Sequence, residues 1–359
     1  MSPAPLSTNS TSTNSATPPT GPVNPDELLP PVEPPSASFI LQLFIIPAVI
    51  VLVVVLLWLL VTSLASRGEE DPSHIVAALR SSNQNRWQKA MELADMLRMD
   101  ERYPNLKTNS ELAEQLAQFL EEEVDAAEEN ENSIEMRYFL CRVLGEFNVD
   151  NGLKSLLKVA REDSQRDVRR EAINALAVLG HNFSNLDPPR PLVHPDLFAT
   201  LSQLAQDKDE LIRSQTAFAL GTIIIDSSLE EQVLELLETL VDDLYCDARY
   251  NAALALARRG DLRAVETVVE MLDAQRIAIS VEAEETPGLR AYKRDILLKN
   301  ALTAARSLLQ QNPQLALSEI EQAVQRFVDS APQWREPAPV PKSLIQQGRE
   351  LLVEPAPAG

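Results

Sequence analysis

A chain of 359 residues with 53 acids against 32 bases carries a net charge of −21, and only 10 of its residues are glycine. A surface this acidic repels phosphate backbones and anionic lipid heads. General nucleic-acid binding is therefore excluded, and any membrane attachment must come from apolar insertion. Cys141 and Cys246 are too far apart for a CxxC pair, so neither a disulfide framework nor a zinc knuckle is expected. Both fall on apolar helix faces, where burial is expected.

Residues 1–37 are rich in Ser, Thr, Asn and Pro and contain no Lys or Arg. With little to bury, they read as a disordered tail. Residues 38–65 read as a transmembrane helix, because Phe39–Leu64 is uncharged throughout. At about 1.5 Å per residue such a helix exceeds the roughly 30 Å hydrocarbon core of a bilayer. The run is too long, too far from Met1 and too poor in preceding bases for a cleaved signal peptide. Pro47 lies within it and can kink it. The first base of the chain is Arg67, followed by Arg80, Arg86 and Lys89. The positive-inside rule then puts the N-terminal tail outside and everything after residue 65 in the cytoplasm, with lipid contact through residues 39–64.

From residue 72 to about 330 the apolar period is that of helices. Scarce glycine with abundant Ala, Leu and Glu favours them as well. Four arginines, Arg137, Arg169, Arg213 and Arg249, each precede small or apolar residues at the third, sixth and seventh following positions. Ala172, Ala175 and Leu176 form one such stripe. Six residues before these arginines stand Glu131, Asp163, Asp207 and Asp243, each after an amphipathic stretch such as Ser110–Val124 or Leu229–Val241. The repeating unit is helix, acid-bearing turn, arginine-bearing helix. Arginine spacings of 32, 44 and 36 residues are those of a solenoid.

These residues resemble the HEAT-repeat family, including the HEAT-like repeats of the phycobilin-lyase type. The match lies in the D-x5-R offset and the R-x2-A-x2-A-L core and is clear over residues 110–275. It implies an all-α fold, a right-handed α-α superhelix, preceded here by the single transmembrane helix. It also implies a ladder in which Asp163, Asp207 and Asp243, with Glu131 in the outlying copy, bond to Arg169, Arg213, Arg249 and Arg137 within or between repeats. Pro72–Leu97 and Arg294–Val328 lack the acid–arginine pair, which suits capping repeats. Residues 331–359 read as a Pro-rich tail with one amphipathic piece, Ser343–Val353.

Two inserts break the period, His181–Pro195 and Asp273–Tyr292. Inserts of this kind project from a solenoid's edge and often bind. His181 and His194 flank the first, with no cysteine or close carboxylate set to complete a metal site. The chain has no GxGxxG, GxxxxGK[ST], GxSxG or HExxH. No cofactor, metal, catalytic residue or small-molecule substrate is therefore expected. The acidic run Glu121–Glu135 reads as a charged helix end and loop. The best-supported role is a membrane-anchored scaffold or adaptor that binds an unidentified protein partner without catalysis. Arg170, Glu171, Asn174, Gln215, Tyr250 and Asn251, off the apolar stripe, are the expected contacts, with Phe183 and Arg190 beside the first insert. The resemblance leaves open an enzyme or accessory of the phycobilin-lyase type, and an inert structural spacer is a third reading.

Overall fold

The computed structural model describes residues 36–66, 72–80, 86–99, 102–103, 105–315 and 317–353. The tail of residues 1–35, Arg67 and the last residues of the chain lie outside them. The chain divides into two compact units, Met1–Glu69 and Glu70–Gly359. The first is carried by one helix, α1 (Ala37–Ser66), with Pro47 inside it. Its window Leu43–Leu60 has a mean hydropathy of 3.3, and none of it is buried. Leu43, Phe44, Val54, Trp58 and Leu60 are all exposed. In water this would be an apolar surface far beyond what soluble proteins tolerate. By length and composition α1 is able to cross a membrane.

The regular secondary structure of the second unit's described residues is all helical, and the unit is a HEAT-like helical solenoid. Helices come in outer and inner pairs: α2 (Pro72–Leu79) with α3 (Arg86–Arg98), α4 (Ser110–Ala126) with α5 (Glu131–Gly145), α6 (Leu153–Glu162) with α7 (Arg166–Ser184), α8 (Leu197–Leu204) with α9 (Glu210–Thr222), and α10 (Glu230–Val241) with α11 (Cys246–Arg258). The chain then continues through α12 (Val265–Glu270), α13 (Ala274–Ser280), α14 (Pro287–Gln311), α15 (Ser318–Ser330) and α16 (Lys342–Val353). Side-chain caps start several of these helices: Asn109, Asn130, Asp209 and Thr286 each accept a backbone N–H of the first turn.

Helices α3, α5, α7, α9, α11 and α14 pack on one another in sequence, whereas outer helices α4, α6 and α8 touch only lightly. We call this more closely packed layer inner and the other outer. Alanine makes the approach possible: Ala172, Ala175, Ala217, Ala219, Ala252 and Ala255 are all buried. At Gly145 even a methyl is too much, because a Cβ there would stand 2.8 Å from the Ala175 Cα. Cys141 is buried in this core and Cys246 partly so.

Three segments differ from the sequence reading. The second insert is not an edge loop: it folds into α13 and the start of α14, and Ile277 and Val281 join the core. The first insert also contributes packing, since Leu192 is buried and its N–H donates to the Ile224 carbonyl at 3.1 Å. The core does not stop at residue 331, because α16 packs on α14 and α15 and buries Leu344, Ile345 and Leu351. The buried Arg294 clips this segment down by donating to the carbonyls of Ala338 and Pro339. Proline content masked a helix whose apolar face was legible in Ser343–Val353.

Candidate functional site

The inner helices carry both the repeat arginines and the residues open to a partner. The six-residue offset has a geometric meaning. In each clear repeat the arginine Nη1 donates back to the carbonyl of its own repeat's acid: Arg169 to Asp163 at 3.2 Å, Arg213 to Asp207 at 2.9 Å and Arg249 to Asp243 at 2.8 Å. The carboxylate does something else. Oδ1 of Asp163, Asp207 and Asp243 accepts the backbone N–H two residues on, closing the turn.

The ion pairs run between repeats, not within them. Arg137 pairs with Asp163 of the next repeat, Nε to Oδ2 at 2.8 Å, both side chains 2% exposed. Arg213 holds Asp243 with two bonds, Nε to Oδ2 at 2.6 Å and Nη2 to Oδ1 at 2.9 Å. These bonds raise the Arg213 guanidinium and hold the Asp243 carboxyl below its ordinary value. Arg249 reaches Glu270 at 2.7 Å. Glu131 plays no such part: it is exposed in the first turn of α5, and Arg137 Nη1 donates to the Glu128 carbonyl instead. One rung is absent. Among the described residues the Arg169 side chain has no hydrogen bond beyond that to the Asp163 carbonyl, and no ion pair joins it to Asp207.

A second set of contacts pins the opposite ends of the same helices. Asn182 of α7 donates to the Gly145 and Phe147 carbonyls at the end of α5, both at 3.2 Å. Arg258 and Arg259 donate to Gly221 and Leu220 at the end of α9, both at 3.0 Å. Gln311 and Asn312 do the same for Arg258 and Gly260 after α11, at 3.0 and 2.9 Å. Terminal carbonyls left open by helix geometry are satisfied by the next repeat. Asn182, half-buried and so engaged, is a structural residue.

The expected partner contacts divide. Tyr250 is a core residue, 1% exposed, whose hydroxyl meets Ser280 at 2.7 Å and Glu270 at 3.1 Å. Phe183 is buried under the exposed Arg190, whose guanidinium lies 5.9 Å from the ring centroid. Asn251 donates to Ser214, and Gln215 to Asn174 at 3.3 Å, so these three half-buried residues bridge neighbouring helices. Arg170 stays partly open beside Asp167 at 3.8 Å. Glu171 is 8% exposed, and its Oε1 has no hydrogen-bond partner. Burial raises its carboxyl above the ordinary value. These positions are hidden because an inner helix is covered by its own outer partner and by an inner helix on each side. Amphipathicity reports only one of those three faces.

Between α7 and α9 the inner layer opens into a groove of about 520 Å³. It is lined by Asn174, Val178 and His181 from α7, Phe218 and Thr222 from α9, and Arg258 from α11. Of these, sequence reasoning selected only Asn174. Counting from the repeat arginines finds all the others but His181: Phe218, like Asn174, is the fifth residue after its arginine, and Val178, Thr222 and Arg258 are the ninth. His181 Nε2 lies 3.0 Å from Asn185 Nδ2, and His194 Nδ1 accepts the Asp196 N–H at 3.1 Å, so each is engaged locally. Among the described residues no group of three or more His, Cys, Asp or Glu is placed to hold a metal.

Comparison with known families agrees with this geometry. A HEAT-like repeat matches residues 166–223, and a PBS lyase HEAT-like repeat matches residues 248–274. The first spans α7 to α9, both walls of the groove, and the second covers nearly all of α11 with α12. The chain therefore contains HEAT-like repeats. No curated protein matches it.

Proposed function

We propose that this protein is a non-catalytic scaffold or adaptor that holds a protein partner on its inner helices and is tethered to a membrane by α1. The observation that carries the reading is the groove between α7 and α9, where Phe218, 37% exposed, stands among Asn174, His181, Thr222 and Arg258. An exposed aromatic with polar neighbours in a groove of the inner layer is the composition of a protein-binding hot spot. The net charge of −21 disfavours a nucleic acid. The test is co-purification from gently solubilised membranes. Full-length protein should bring down a stoichiometric partner, and Phe218→Asp should lose it with an unchanged melting temperature. A wild-type chain that recovers no partner, or a folded Phe218→Asp that keeps it, overturns the reading.

The tether rests on the length and hydropathy of α1. In this reading the N-terminal tail faces outward and the solenoid lies in the cytoplasm, because bases appear only after the span. Protease added to sealed, correctly oriented vesicles should then remove the tail and spare the repeats. The PBS lyase HEAT-like match at residues 248–274 favours a second reading, an enzyme or accessory of the lyase type. A chromophore bound by the purified protein would support it. An inert spacer predicts neither partner nor chromophore.

A further inference from the structure

The two layers of the solenoid differ in charge. Helices α5, α7, α9, α11 and α14 together hold 13 bases and 7 acids, whereas α4, α6, α8, α10 and α12 hold 3 bases and 13 acids. In a chain of net charge −21 the inner layer is the exception. Part of its basic excess is taken up internally: Arg137 and Arg213 hold the acids of the next repeat, and Arg294 is buried beside Asp295. Acids of the same layer are engaged as well, Asp167 by Arg170 at 3.8 Å and Asp247 by Lys293 at 3.0 Å.

Two cations stay open. Arg258 lines the groove, where its guanidinium makes one bond, Nη1 to the Gly221 carbonyl at 3.0 Å, and among the described residues it has no ion pair. No Asp or Glu lines that groove. Lys299 is exposed on α14, which packs beside α11, and it too has no ion pair among the described residues. Apolar groups accompany both cations. Phe218 stands in the groove with Arg258. On α14 the exposed Tyr292 and Ile296 precede Lys299 at intervals of four and three residues, so the three share one helix face. A basic segment would find two unpaired cations here, whereas an acidic one gains a charge pair at each and is repelled by the outer layer. We propose that the inner surface of the groove and of α14 takes an acidic amphipathic segment of a partner protein. Its side-chain carboxylates meet Arg258 and Lys299, and its apolar side chains meet Phe218, Tyr292 and Ile296. This rests on the scaffold reading above and adds the chemistry of the partner.

The experiment is a fluorescence titration of the full-length protein, in phosphatidylcholine nanodiscs, with three labelled synthetic peptides. They are blocked at both ends, share their Leu and Phe positions and carry Glu, Gln or Lys at the rest. The Glu peptide should bind about tenfold tighter than the Gln peptide, as expected for interfacial charge pairs. That margin should shrink as salt is raised, and the Lys peptide should bind most weakly. Arg258→Gln with Lys299→Gln should cut the Glu preference to about threefold or less at an unchanged melting temperature. Lys154→Gln with Lys158→Gln, on the outer helix α6, should leave it in place. A wild type that binds the Glu and Gln peptides alike overturns the proposal with no variant needed. A Glu preference that survives the Arg258 and Lys299 changes in a folded protein overturns it too. A stoichiometric partner recovered from membranes, beside a wild type indifferent to peptide charge, overturns this proposal alone and leaves the scaffold reading standing.

Discussion

The α9–α11 and α7–α9 interfaces are built from the same alanine-rich helices, yet they are held differently. Across α9–α11 a bidentate ion pair closes one end and two arginines close the other. Across α7–α9 the Arg169–Asp207 rung is missing among the described residues, and the ends are joined by a longer, more exposed Arg166–Asp209 ion pair at 3.9 Å and by the Leu192 N–H on the Ile224 carbonyl at 3.1 Å. The same motif therefore gives different bonding, because each arginine's ion pair lies in the following repeat. A spacing of 44 residues in place of 32 or 36 changes where that partner arrives.

Substitutions break this comparison in a fixed order. Arg137→Ala should be the most damaging, because it strands Asp163, 2% exposed, without its cation. Losing one partner of a buried pair costs about 3–5 kcal/mol, readable as a lower urea midpoint. Arg213→Ala should cost roughly 1–3 kcal/mol, since its pair is only partly buried, with side chains 20% and 8% exposed. It should also alter acid sensitivity. Asp243 is held below its ordinary value first by the hydrogen bond from Arg213, against the opposing effect of burial. Its stabilisation is complete above the unfolded value of about 4 and is lost as pH falls through the lower folded value. Wild type should therefore lose more stability below about pH 4 than Arg213→Ala does.

Glu171 sharpens the comparison with the opposite sign. Its raised carboxyl means that the folded state disfavours the charge, so this group destabilises at neutral pH and the penalty falls as pH drops toward about 4. Glu171→Gln should leave the melting temperature at pH 7 unchanged or raise it, by up to about 1 kcal/mol in stability. A marked loss would mean that the Arg142–Glu171 ion pair, at 3.9 Å, outweighs the cost of burying the carboxylate. Arg169→Ala should have the smallest effect, under about 1 kcal/mol, because only a carbonyl is lost. That change distinguishes the interface without the ladder rung from the one with it at matched positions.

Much of this architecture was legible in the sequence. The period, the helix pairs and the acid–arginine offset all follow from local spacing, and so does the apolar length of α1. The direction of the ladder was not legible, because an offset of six within a repeat reports the backbone bond, while the ion pair depends on the following turn. Glu131 fitted the offset but falls inside α5 rather than in the turn before it. Tyr250 and Phe183 lie off the alanine stripe, yet both are covered by segments distant in sequence: Ser280 of α13 meets Tyr250, and Arg190 of the first insert lies over Phe183. The groove was hidden for the converse reason. It lies between two helices, and no single helix records that.

A pair of double-mutant cycles, read by urea unfolding of the full-length protein, tests the account most directly. Arg213→Ala with Asp243→Ala should show a coupling energy within the roughly 0.5–3 kcal/mol found for contacting residues. Arg169→Ala with Asp207→Ala should add independently, within about 0.5 kcal/mol. Comparable coupling in the two cycles would mean that the Arg169–Asp207 rung is formed, and would contradict the claim that the α7–α9 interface lacks that rung of the ladder.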